Sequence, residues 1–230
     1  PCAMSASREL VLVAVRAILR QKACLLHVFA RVDPDLYTRP CRVAGASVGQ
    51  HVRHSLDHLR VATAGALRCQ QAAAAVAASH PPSTCPQRPM VDYDTRQRHT
   101  EVERCLQAAH EAVSAMKQDL ELLSPADLDL ALDAQFMLAA HLPPSENPVL
   151  PSSVARELAF SAHHAIHHHA TILQILRTNH DIPEGLAAEL LRREPDFGVA
   201  PSTVSFQGDH PGEGAHQQGE RMTTTVQGGQ

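Results

Sequence analysis

The chain has 230 residues, 44% of them hydrophobic and 19% charged, a balance that supports one buried core and excludes wholesale disorder. Its formal net charge of −4 argues against a protein that works by neutralising phosphates, so nucleic acid is not an expected partner. Aromatic residues make up 3%, with no Trp, so Ala, Leu and Val must fill the core, which favours close-packed helices over a β-sandwich.

Ser7 to Val32 reads as a first helix, with Leu10, Val13, Ala17, Leu25 and Val28 as its candidate apolar side. Asp33-Pro34 stops it, and a loop broken by Pro40 and Gly45 follows. Ser47 is a plausible N-cap for a long second helix reaching about Ser79, which His80-Pro81-Pro82 ends. A third helix is expected from near Asp94 to Leu123, where Val102, Leu106, Ala109, Val113, Met116 and Leu120 recur at spacings of three and four, and Ser124-Pro125 closes it. Leu128, Leu130 and Leu132 alternate with acidic residues, the period-two signal of a short strand, before Pro143, Pro144 and Pro148 impose a loop. A fourth helix opens near Ser152 or Ser153 and runs to about Thr178, and Pro183 to Arg193 suits a short fifth. Phe197 to Thr203 reads as a loop folding back over the bundle end, with Gly198 at a tight turn. Beyond Phe206 almost nothing is apolar, so residues 207–230 read as a disordered tail behind one domain of residues 7–206. Four long helices with inward polar groups describe an all-α four-helix bundle with short extra elements.

Cys2, Cys24, Cys41, Cys69, Cys85 and Cys105 are scattered, with no Cys-x-x-Cys pair. They read as reduced thiols in a cytoplasmic setting. No apolar run reaches the ~20 residues of a membrane span; the longest, Leu10 to Ala30, is broken by Arg16, Arg20, Gln21 and Lys22. The basic, acid-poor start resembles an organellar transit peptide faintly, although its helical periodicity favours a bundle helix. The chain opens on Pro1 rather than Met, so residues ahead of it are expected.

The outlier is histidine, with 16 residues. His51, His54 and His58 are spaced i, i+3, i+7 and share one stripe of the second helix, with Asp57 beside it. The fourth helix carries two i, i+4 pairs, His163/His167 and His164/His168, and each could present two imidazoles to one ion. Taken singly, His163 and His169 read as surface residues. Two clusters inside otherwise apolar helices point instead to a shared divalent ion, because buried neutral imidazoles need partners for both nitrogens.

Ser47-Val48-Gly49-Gln50-His51-Val52-Arg53-His54-Ser55-Leu56-Asp57-His58 resembles the second-helix motif of the DinB/YfiT-like superfamily, and His164 through His168 with Ala170-Thr171-Ile172 resembles its closing His-x-x-x-His helix. Asp92-Tyr93-Asp94-Thr95-Arg96 and Phe197 to Thr203 are similar to motifs of one uncharacterised DinB-like branch. The resemblance implies a four-helix bundle whose ion is held by one histidine of the second helix and two of the fourth. These map to His54, with His51 and His58 as fallbacks, and to His164 and His168. Relatives include thiol-dependent S-transferases, a maleylpyruvate isomerase using a low-molecular-weight thiol, and modules of thiohistidine synthases. Many relatives carry Trp near the second-helix motif; this chain has none, so substrate shape does not carry over. Relatives often dimerise, which leaves a homodimer open as a partner beside a small-molecule substrate.

Three imidazoles leave an open position, and all-nitrogen ligation suits Zn, Ni or Fe over Ca or Mg. Water or a thiol held there becomes a nucleophile near pH 7, so a metal-assisted, thiol-dependent transferase is the expectation. The rival is a non-catalytic metal-binding, stress-associated interaction protein. His51, His58 and His167 are candidate acid–base groups. Asp57 or Glu157 could orient a ligand imidazole, and Tyr93 and Arg96 could reach the mouth of the site and clamp a carboxylate. Arg53 is expected in solvent.

Overall fold

The computed structural model describes residues 3–42, 44–78, 87–94, 97–137, 143, 146–179 and 182–209. The first helix, α1, covers Ala3–Val32. Its buried stripe is Leu12, Val15, Leu19, Lys22, Leu26 and Phe29, all at helical spacing. This corrects the expected face: Leu25 and Val28 are inside, but Leu10 and Val13 are exposed. The sequence is apolar on several sides of this helix, and the true stripe runs through a lysine.

The second helix, α2, covers Val48–Ala78. Ser47 caps it reciprocally: the Gln50 N–H donates to Ser47 Oγ at 3.2 Å and the Ser47 N–H donates to Gln50 Oε1 at 2.9 Å. A Cβ at Gly49 would collide with the Glu103 carbonyl oxygen and lie 2.8 Å from the Tyr37 ring, so only glycine lets α2 start this close to the 3-10 turn Glu101–Glu103.

The third helix begins later than its periodicity suggests. Met90–Asp92 is a strand, β1. Asp92 Oδ1 then accepts the Asp94 N–H at 2.8 Å, and His99 takes φ +59°. Helix α3 covers Leu106–Glu121 and buries the expected Ala109, Val113, Met116 and Leu120. Ser124 caps a 3-10 turn at Pro125–Asp129, so the strand read from Leu128 starts only at Ala131: β2 is Ala131–Gln135 and β3 is Val149–Ser153. β1 runs parallel to β2, with Val91 opposite Ala134, and β3 runs antiparallel to it, with Leu132 opposite Ser152. The segment holding Pro151 was expected as loop; it is tolerated on an edge strand, where a missing N–H costs no ladder bond.

Strand β3 leads directly into α4, Val154–Thr178, where Ser153 Oγ accepts the Arg156 N–H at 3.3 Å. Helix α5 covers Glu184–Arg193, as expected. The four long helices form the bundle, α2 and α4 sharing its broadest interface while α1 packs on α3 and α4. Phe197 is fully buried and stacks on His169, with ring centroids 4.4 Å apart. Gly198 has φ +73°, and a Cβ there would lie 2.8 Å from the Ala170 nitrogen, so the expected tight turn is real. A separate unit begins at Val199, and within it Pro201–Asp209 is a helix, α6, where loop and then tail were expected. The remaining tail, 210–230, and the His80-Pro81-Pro82 stop lie outside the described residues. Among the described residues, no helix is long and apolar enough to cross a membrane, and Cys24, Cys41, Cys69 and Cys105 are free thiols.

Candidate metal centre

Two helices supply the site because each repeats histidine at the spacing that keeps side chains on one stripe, and the broadest helix interface brings the stripes together. His164 Nε2 lies 3.2 Å from His54 Nε2 and 3.1 Å from His168 Nε2. One ring nitrogen of each of the three lies within 4.8 Å of the others. Three nitrogens each about 2.0–2.1 Å from one ion sit roughly 3.4 Å apart in a tetrahedron and roughly 2.9 Å apart as octahedral neighbours. The two separations from His164 Nε2 fall between those limits. Neutral imidazoles pointing lone pairs at one another cannot all be satisfied by sharing protons, so the donor set suits a cation. Among the described residues, this is the one group of three His, Cys, Asp or Glu side chains whose ligand atoms lie that close together. His168 is buried, while His54 and His164 are half-buried.

Burial first, and then the neighbouring His164, His54 and His51, push the pKa of His168 down to about 2. It is therefore neutral and keeps a lone pair at ordinary pH. His51 Nδ1 lies 3.0 Å from His168 Nδ1. A proton held on His168 Nδ1 and donated to His51 leaves His168 Nε2 unprotonated and aimed at the other two rings. His51 thus meets the nitrogen of His168 that points away from the three converging rings.

Behind it lies Lys22, fully buried, its Nζ donating to Ser55 Oγ at 2.5 Å. Burial pushes its pKa down to about 7, and its charge helps to depress His51, His168 and His169. Sequence reasoning read Lys22 as a break in an apolar run. The missed signal is its place in the three-four stripe between Leu19 and Leu26.

His58 is also drawn into the centre, stacked on His164 at 4.0 Å and on Tyr93 at 5.0 Å. Tyr93 is buried and donates to Glu157 Oε2 at 2.8 Å, with Ser161 Oγ at 3.3 Å; burial above all raises its phenol far beyond the usual range. Glu157, fully buried, accepts from Tyr93, Ser152 and Arg156 rather than from a ligand imidazole. Asp57 does not orient a histidine either: Arg53 Nη1 holds it at 2.7 Å, and Arg53 Nε holds Glu103 at 2.8 Å. Arg53 is accordingly nearly buried, not in solvent, because two carboxylates grip its fork. His167 is exposed at the rim, its ring 5.5 Å from that of His168. His163 is exposed as expected, but His169 is fully buried, with Nδ1 3.0 Å from Gln21 Oε1 and its face on Phe197. Arg96 lies outside the described residues. A cavity of about 190 Å³ lies elsewhere, lined by Arg53, Leu56, Val102 and Met116 and by none of the three converging histidines.

A search of the curated proteins and of the solved structures found no match to the chain. The family model of the DinB superfamily matches residues 17–172, a span that holds α2, α3, the sheet and all three converging imidazoles. The chain belongs to the DinB superfamily.

Proposed function

We propose that the protein binds one divalent ion, Zn, Ni or Fe, through His54, His164 and His168, and uses it in a thiol-dependent transfer to a small molecule in a reducing, cytoplasm-like compartment. The observation that carries this reading is the convergence of three imidazoles from two different helices, with His164 Nε2 3.2 Å from His54 and 3.1 Å from His168. When bound, such an ion lowers the pKa of a coordinated thiol or water, supplying a nucleophile near pH 7.

The chain's own residues do the rest. His51 fixes the tautomer of His168 through the Nδ1 contact. His58, clamped between His164 and Tyr93, holds the His164 ring in plane. His167, exposed at the rim, is placed to take or return a proton as substrate enters. The half-burial of His54 and His164 favours a centre open to an outside ligand over a closed structural one. Metal analysis of tag-free protein tests the assignment: stoichiometric metal is expected in the native chain and its loss in His164→Ala. Retention of full metal by that variant excludes these ligands.

A further inference from the structure

The rings beside the three imidazoles form a continuous wall. His58 lies on His164 at 4.0 Å, Tyr93 on His58 at 5.0 Å and Phe136 on Tyr93 at 5.1 Å. Phe160 closes the group, 5.4 Å from Tyr93, 5.8 Å from Phe136 and 6.1 Å from the His164 ring. In a chain only 3% aromatic, with five Phe and two Tyr, three of the seven stand here. Of the remaining four, Phe29, Tyr37 and Phe197 are buried elsewhere in the core and Phe206 is exposed. Tyr93 is buried, whereas Phe136 and Phe160 are half-buried. The wall starts in the core and ends at the surface.

At its outer end stands Arg156, whose side chain is 54% exposed. Its guanidinium carbon lies 5.1 Å from the Phe160 centroid and 5.7 Å from that of Phe136. Nη1 donates to Glu157 at 2.7 Å; the other N–H groups of the fork make no hydrogen bond among the described residues. Glu157 is fully buried and shared with Tyr93 and Ser152, so it anchors the inner edge of the fork and leaves the outer edge to solvent. Arg156, Phe160, His164 and His167 follow at i, i+4, i+8 and i+11 on one stripe of α4. Arg156 and His164 are therefore about 12 Å apart along the axis. The helix presents a cation, then a flat apolar face, then the imidazole point.

We propose that the molecule handled at this centre is an anion with a planar apolar body, an aromatic or conjugated carboxylate. Its reacting atom sits at the three imidazoles, its plane lies along the Phe160 ring with the perpendicular Phe136 ring at its side, and its carboxylate meets the outer edge of Arg156. A guanidinium held over aromatic rings and anchored on one side is pre-organised for such a group. The inference rests on the reading of His54, His164 and His168 as the metal ligands.

The test is titration of the cobalt-loaded full chain with thiols, following the thiolate-to-cobalt charge-transfer band. In the native chain 4-mercaptobenzoate is expected to saturate at roughly tenfold lower concentration than benzenethiol, the strength of one charge-assisted contact. It should also outbind 3-mercaptopropionate, which has the charge without the ring. Arg156→Gln should abolish the preference for the carboxylate while leaving benzenethiol binding as it was, and Arg156→Lys should keep part of it. Equal affinity for the charged and uncharged thiols in the native chain overturns the inference with no variant needed, as does a preference that survives in Arg156→Gln. A chain that takes up no cobalt removes the metal reading and this inference with it. A chain that takes up cobalt but shows no preference removes this inference alone.

Discussion

Burial governs the ionisable side chains of the interior, and two of its consequences can be measured. Lys22 has its pKa lowered from 10.5 to about 7, so between pH 7 and 10.5 the unfolded chain holds a proton that the folded chain does not. Stability should therefore rise with pH across that window, and below pH 7 the full cost of a buried ammonium is present. Lys22→Met should flatten the rise and add about 2 kcal/mol near pH 6, read by urea unfolding of metal-free protein. His168 and His169 have depressed pKa values, burial being the first cause of each. They cost nothing above pH 6.5, and each removes up to about 1.4 kcal/mol per pH unit as the pH falls below it. Acid should thus weaken the fold even without metal; a flat profile from pH 7 to 5 would contradict these burials. The histidine spacing was legible in the sequence. The buried lysine was not, because a lysine in an apolar helix is ordinarily read as its solvent side.

Among the secondary elements, the caps follow local chemistry and the ties between segments do not. Ser47 and Ser153 cap α2 and α4 as their sequence contexts suggest, and Ser47→Ala should cost about 1 kcal/mol in thermal or urea unfolding. Arg53 joins Asp57, on its own helix, to Glu103 in the following 3-10 turn. Arg53→Ala strands the buried Glu103 carboxylate and should cost about 3 kcal/mol, whereas a solvated arginine at that position would cost almost nothing. The late start of α3 has the same origin. Residues 90–92 bond to β2, some 40 positions further on, and no window of local periodicity contains that partner. Leu128 likewise joins a 3-10 turn because Asp127 accepts both the N–H and the hydroxyl of Ser124, ending the alternation before it becomes a strand.

For the molecule as a whole, the candidate ion would tie α2 to α4 across the broadest interface of the bundle. Metal at ~100 times its dissociation constant adds about 2.7 kcal/mol to the folded state, so chelation should lower the melting temperature by roughly 5–10 °C. His54→Ala should melt near the chelated native chain and respond little to chelator. A native chain indifferent to chelator would mean that no ion couples the helices.

The four long helices, the phase of α3, the caps and the membership of the two histidine clusters were written in the chain, because each depends on residues within a turn or two of one another. The register that brings His54 to His164, the removal of Asp57 by Arg53, the enclosure of Lys22 and the aromatic wall from Tyr93 to Arg156 were decided only by the tertiary fold. Each depends on which faces of distant elements meet. Helical spacing states what lies along one helix; which side chain stands opposite is settled when the cores of α1, α2 and α4 close on one another.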